Sequence, residues 1–180
     1  MHSVWSKGLA GAAPKLSVFT HHGTSRLEGP TAPARVVLTT YETLVSDHGR
    51  DDGTCTVGAF GVKWRRLVLD EAHVIRNRRV QKFAAVCALE AKSRWCLTGT
   101  PIFNGIGDIY PIVRFLRISP LHDYKVWNRL FARRHAKSLE RVNLLLRAFV
   151  LRRTKHMQVP CESGAGTRPL LALPEKAVRV

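Results

Sequence analysis

The sequence predicts an α/β fold on a mainly parallel sheet, and three observations lead there. Short apolar, β-branched runs recur at 35–39, 66–70 and 94–98. Stretches with helical periodicity lie between and after them. At 180 residues, 45% hydrophobic and 23% charged, the chain is long enough for a buried core and too apolar to be disordered.

In chain order, the first 34 residues are uneven. Residues 15–20 suit a short strand, and His22-Gly23 and the Gly29-Pro30 to Pro33 run make a turn and loop. Residues 35–39 read as a buried strand. Residues 47–61 hold four glycines and three aspartates, which suits a surface loop. A second buried strand, 66–70, ends on an acidic residue. A helix is expected over 79–91, and a third strand over 94–98, closed by Gly99-Thr100-Pro101. Asp108 is placed to cap a helix reaching Leu116, with Pro111 in its first turn. Two more helices are expected over 123–133 and 139–151, the latter with Ser138 as N-cap. Residues 161–174 are rich in Gly and Pro and read as a linker. Short strands alternating with helices point to parallel pairing.

Twenty-nine Lys and Arg against thirteen Asp and Glu give a net charge of +16, which points to a polyanionic partner. Residues 112–156 hold twelve of these cations against Asp123 and Glu140. Within them Arg129, Arg133, Lys137 and Arg141 recur every four residues, a stripe divided between two helices. The bland reading is a solvated face; the sharp one is contact with phosphates. Leu144, Leu145, Ala148 and Leu151 are expected to form a core face rather than a binding surface. No apolar run approaches the roughly 18 residues of a membrane span, and the N-terminal residues carry no apolar signal core. Cys55, Cys87, Cys96 and Cys161 include no C-x-x-C pair and no zinc-site spacing; a reduced, intracellular chain without a protein-held metal cage is expected.

In open α/β sheets reactive groups gather beyond the carboxyl ends of strands. Leu67-Val68-Leu69 delivers Asp70-Glu71-Ala72-His73. Two consecutive carboxylates at a buried strand end can hold Mg²⁺ and position a water, where a bare pair would be only an acidic turn. At the next strand end, Thr98-Gly99-Thr100-Pro101 sets two hydroxyls around a glycine turn, able to bond a bound water or a phosphate; alone it is an ordinary turn. After 35–39, Thr39-Thr40 precede Tyr41-Glu42, which suits a helix cap or a nucleic-acid phosphate.

Taken together, these segments resemble the Swi/Snf-type ATPases, helicase-like DNA translocases of helicase superfamily two. The subgroup is that of the ring-finger helicase-like transcription factors and DNA-repair translocases. The resemblance runs through His22-Gly23 with Arg26, residues 37–44, 64–77 and 94–101, and Ile102, Asn104 and Asp108-Ile109-Tyr110. It continues in Arg114-Phe115-Leu116-Arg117, Trp127, residues 149–155, and Leu173-Pro174-Glu175-Lys176. It implies a RecA-like first lobe over 1–118, a helical basic extension over 119–157, and a linker over 158–180 towards a second lobe. It also implies ATP with Mg²⁺, duplex DNA or nucleosomes as partner, and a nuclear location. By position, Asp70 would bind Mg²⁺, Glu71 would activate water, and Thr98, Gly99 and Thr100 would couple hydrolysis to lobe movement. Thr39, Thr40, Arg129, Arg133, Arg141, Arg152 and Arg153 would meet DNA phosphates.

The sequence departs from that family in two respects. None of its nine lysines follows a glycine, so no Gly-Lys-Ser/Thr phosphate loop is present, and Phe103 stands where a glutamine is usual. The chain is therefore expected to be a fragment, from just after the phosphate-loop helix to the start of the second lobe, inactive alone. The alternative is a non-catalytic basic DNA-binding or interaction module. An RNA helicase of the DEAH type is disfavoured by Val74-Ile75-Arg76-Asn77 and by Thr-Gly-Thr in place of Ser-Ala-Thr.

Overall fold

In the computed structural model, which describes residues 2–27, 35–50, 58–100, 102, 105–131, 136–153, 157–160 and 167–169, the chain divides into two units, Met1–Arg134 and His135–Val180. The first holds helix α1 (His2–Ala12), strands β1 (Val18–His21) and β2 (Val36–Thr39), helix α2 (Tyr41–His48), strand β3 (Trp64–Leu69), helix α3 (Gln81–Ala88), strand β4 (Ala91–Cys96), and helices α4 (Ile109–Phe115) and α5 (Tyr124–Phe131). The second holds helix α6 (Ala136–Phe149) and two short strands, β5 (Gln158–Pro160) and β6 (Thr167–Pro169), paired antiparallel.

The α/β class is borne out, with parallel pairing in both strand pairs of the first unit. β1 runs beside β2, His21 opposite Thr39; β3 runs beside β4, Leu69 opposite Cys96. Parallel neighbours need a crossover, and α3 supplies it between β3 and β4. One core joins both pairs. Leu44, Phe60, Leu69, Ile75, Val86, Leu89 and Phe115 are buried in it, with Phe19 and Val37 packed against them.

The strand ends shift from expectation for a local reason. Register with Trp64 recruits Ala91 into β4, and the backbone turns extended at Leu89, so α3 stops at Ala88 and the strand starts three residues early. Asp108 does not cap α4 through its side chain; it has helical backbone and closes a 3-10 turn, Ile106–Asp108. Pro111 does fall in the first turn of α4. That helix ends with Arg117 at φ 55, where Ile118 N–H bonds Val113 and Arg117 N–H bonds Arg114, the paired closure for which glycine is the usual residue. Asp123 caps α5: its Oδ1 accepts the N–H groups of Lys125 at 2.7 Å and Val126 at 3.1 Å, and these bonds hold its carboxyl below the usual range. Ser138, expected as an N-cap, lies inside α6 instead. The linker expected over 161–174 lies outside the described residues except for Thr167–Pro169, which pairs as a strand.

The segment expected as a surface loop contains the most deeply buried carboxylate described. Asp47, in the last turn of α2, is 2% exposed. Its Oδ1 accepts from Arg26 Nη1 at 2.8 Å and its Oδ2 lies 2.6 Å from His21 Nε2, His21 being 0% exposed. The tautomer follows from the opposite nitrogen. Leu27 N–H donates to His21 Nδ1 at 2.9 Å, so Nδ1 is the acceptor and Nε2–H donates to Asp47. The ring is neutral, and the charge pair is Asp47 with Arg26. Gly58, at φ 57, backs this cluster: a Cβ there would stand 2.7 Å from Asp47 Oδ2, so no other residue fits.

Two predictions follow from this packing. Asp47→Ala strands a buried imidazole N–H and a guanidinium, so it should cost about 3–5 kcal/mol in chemical denaturation; Glu42→Ala, which breaks the exposed Lys82–Glu42 pair, should cost under about 1 kcal/mol. Equal losses would refute the assigned weight of Asp47. Separately, Val68 and Trp95 face each other in register across β3 and β4 and are 50% and 57% exposed. An apolar sheet face of this kind promotes association. Val68→Thr with Trp95→Thr should lower light scattering and dye binding at high protein concentration while leaving the helical circular dichroism intact.

Candidate active site at the strand ends

The carboxyl ends of β2, β3 and β4 converge through hydrogen bonds that can be traced one by one. Leu97, just past β4, donates its N–H to the Leu69 carbonyl at 2.8 Å and accepts from Ala72 N–H at 2.9 Å. That double bond carries the parallel ladder past the strands and sets Thr98 beside the Asp70-Glu71 turn. Tyr41, first residue of α2, donates its hydroxyl to the Asp70 carbonyl at 2.8 Å. Burial pushes the Tyr41 phenol upward, helped by Cys96, Asp70 and Glu71, so it stays a donor.

Asp70 is held at both carboxylate oxygens. Its Oδ1 accepts the Glu71 N–H at 2.9 Å, and its Oδ2 accepts the Trp5 indole N–H at 2.7 Å. Glu71 stands at φ 48, ψ 48, the left-handed region that costs a non-glycine residue about 1–2 kcal/mol and is met at functional sites. The twist turns its side chain out of the strand direction. Its Oε2 lies 3.0 Å from His73 Nδ1, with both side chains partly exposed; the distance is that of an ion pair, without hydrogen-bond geometry. The two carboxylates of the tetrad thus differ: Asp70 is fixed, Glu71 half-solvated.

Thr98, half-buried, accepts the Thr100 N–H on its hydroxyl at 3.2 Å, while Gly99 and Thr100 are exposed. Thr39 donates its hydroxyl to the His21 carbonyl at 3.0 Å. Thr40 is the N-cap of α2, its oxygen accepting the Thr43 N–H at 3.1 Å. Both hydroxyls already serve the fold. Arg129 is exposed on α5, Arg141 on α6, and Arg152 and Arg153 just beyond α6; Arg133 lies outside the described residues. These arginines are spread over the two units, Arg129 in the first and the other three in the second. Cys87 and Cys96 are free thiols against the core, as expected for apolar runs. Burial pushes the Cys96 thiol up to about 12, so it is inert at neutral pH.

Trp5 and Tyr41 are the site residues that the sequence reading missed. Tyr41 sat within a noted segment without a role, and nothing in the composition of α1 singles out Trp5. As to metal, no cluster of three or more His, Cys, Asp or Glu is present among the described residues. Asp70 offers hard oxygens with lone pairs to spare and Glu71 stands next to it. That donor set fits a Mg²⁺ that keeps waters and takes further ligands from phosphates, and does not fit zinc.

The SNF2-related domain matches residues 1–162. Transcription termination factor 2 of Drosophila melanogaster is 44% identical over 144 residues, spanning 78% of this chain and 13% of that protein. DNA repair protein RAD5A of Arabidopsis thaliana is 40% identical over 171 residues, 92% of this chain and 16% of that one. The human helicase-like transcription factor is 34% identical over 169 residues, 91% and 16%. Among solved structures, the Sulfolobus solfataricus SWI2/SNF2 ATPase core in complex with dsDNA aligns with a TM-score of 0.69 at 31% identity, over 86% of this chain and 32% of that one. The chain therefore spans less than a fifth of these curated relatives and about a third of the solved core. With the domain match covering most of its length and the strand ends in that arrangement, the chain belongs to the SNF2-related domain family.

Proposed function

We propose that this chain is part of an ATP-dependent DNA translocase of the chromatin-remodelling or DNA-repair kind, working in the nucleus on duplex DNA or nucleosomes. The observation that carries the reading is the Asp70-Glu71 pair, one carboxylate fixed and the other half-solvated, where three strand ends meet. Asp70 holds Mg²⁺, which when bound offsets charge on the phosphates of ATP. Glu71 orients the attacking water and takes its proton. Thr98, Gly99 and Thr100, tied to that turn through Leu97, pass changes at the site to a second RecA-like lobe. Thr39, Thr40, Arg129, Arg133, Arg141, Arg152 and Arg153 contact DNA phosphates. In this reading residues 1–118 are lobe, 119–157 basic extension and 158–180 linker.

Phosphoryl transfer is mostly positioning and charge stabilisation. A chain with no Gly-Lys-Ser/Thr loop has no backbone cradle for the β- and γ-phosphates, so the 180 residues alone should release no phosphate from ATP, with or without DNA. Grafted in place of the matching third of the Sulfolobus core, the chain should support DNA-stimulated turnover. There Glu71→Gln should lower kcat by about 10² or more while ATP still binds, and Asp70→Asn should weaken Mg²⁺-dependent binding. Turnover near that of the unsubstituted graft in Glu71→Gln would overturn the assignment of roles.

The chain itself should bind duplex DNA with little sequence preference. Log affinity should fall linearly with log salt, by about 0.9 per phosphate neutralised. Arg129→Ala, Arg141→Ala and Arg152→Ala together should flatten that slope. DNA binding by the chain, with a graft that never turns over, would favour the non-catalytic basic module instead.

A further inference from the structure

We propose that Trp5 is a positioning residue for Asp70, its indole N–H locking the carboxylate in the orientation that receives a cation; this rests on the reading of Asp70 as the Mg²⁺-holding group. The two residues are 65 apart in sequence, yet Trp5 Nε1 lies 2.7 Å from Asp70 Oδ2, at the short end for an N–H on a carboxylate. The Glu71 N–H grips the other oxygen at 2.9 Å. With both oxygens held, the carboxylate has no free rotation. Two bonds use two of about four lone-pair directions, leaving two for a metal or its waters.

The chemistry of the donor is what makes the contact informative. An indole N–H donates only and carries no charge, so it fixes the carboxylate without neutralising it. A lysine or arginine at that point would orient Asp70 equally well but would compete with Mg²⁺ as its counter-ion. In a chain with twenty-nine Lys and Arg, no cationic side chain among the described residues lies within ion-pair distance of Asp70. The helix that brings Trp5 there is weak by composition, with Gly8 and Gly11 in its interior and no described side chain fully buried. The bond to Asp70 is the one long-range side-chain hydrogen bond recorded for α1 among the described residues. Outer-shell partners of metal-holding groups are worth about 10–100-fold in metal affinity.

The test uses the 180-residue chain, its four tryptophan indole N–H signals in a ¹H–¹⁵N spectrum, and Mn²⁺ as the probe ion, counted by the electron-spin signal of free Mn²⁺. The Trp5 signal is assigned from through-bond correlations in the unsubstituted chain, and Asp70→Asn should move that signal while leaving the other three in place. The part of Mn²⁺ binding that Asp70→Asn removes should be about 10-fold weaker in Trp5→Phe and partly restored in Trp5→His, whose ring can also donate. If Asp70→Asn leaves the Trp5 signal unmoved, the contact does not exist and the proposal falls; this arm needs no folded Trp5 variant. If the signal moves but Trp5→Phe holds Mn²⁺ as tightly as the unsubstituted chain, Trp5 touches Asp70 without positioning it, and the proposal falls too. If Asp70→Asn binds Mn²⁺ undiminished, it is the metal role of Asp70 that fails, recognisable because the signal shift persists.

Discussion

The pairing of Leu97 with Leu69 and Ala72 is the constraint on which the site depends. Strand pairing in β3 and β4 stops at Leu69 and Cys96, but the backbone of Leu97 adds one more bond in each direction. Those two bonds decide that the turn after β3 and the turn after β4 leave the sheet together. Without them Asp70 and Thr98 would sit on independent loops, and a half-ångström shift in one would not be felt by the other. With them, the Thr98-Gly99-Thr100 turn is joined through Leu97 to the Ala72 amide, two residues from Asp70. The link is made by backbone atoms, so among substitutions at Leu97 or Ala72 only proline would delete one of its N–H donors.

The second anchor starts in the core. Asp47, at the last turn of α2, is tied to Arg26 and to the neutral His21 at the end of β1, while Thr40 caps the first turn. α2 is thereby fixed at both ends, and its first residue is Tyr41, whose hydroxyl bonds the Asp70 carbonyl. A buried ion network contributes little net stability by itself. Its effect here is geometric: it fixes the axis of a two-turn helix, which fixes one phenol, which fixes the backbone of Asp70.

Much of this was legible in the sequence because the signals were local. Asp70-Glu71 after an apolar run, Thr98-Gly99-Thr100 after another, and a cap at Thr40 all depend on residues within five positions of one another. The parallel order followed from strands alternating with helices. What could not be read has a non-local cause. Asp47 looked like loop because glycines and aspartates surround it, and its burial is explained by His21 and Arg26, 26 and 21 residues away. α1 was invisible because Gly8 and Gly11 erase helical propensity. Trp5 gained a role through a partner 65 residues on. Ser138 looked like a cap by type, yet the helix starts two residues earlier.

The carboxylates also explain how a basic chain keeps an acidic site. Thirteen Asp and Glu face twenty-nine Lys and Arg, so each carboxylate has many cations with which it could pair. Instead the described carboxylates near cations are matched elsewhere: Asp47 with Arg26, Glu42 with Lys82, whose bond holds the Glu42 carboxyl below its usual range. Asp123 is satisfied by backbone amides. Among the described residues, Asp70 is bonded by neutral donors, an indole, a backbone amide and, at its carbonyl, a phenol. None of those donors neutralises the Asp70 carboxylate. Positive charge is exposed on the helices, with Arg129 on α5 and Arg147 on α6. Exposed arginines of this kind raise the local concentration of polyanions, while the bonds at Asp70 leave its charge unneutralised.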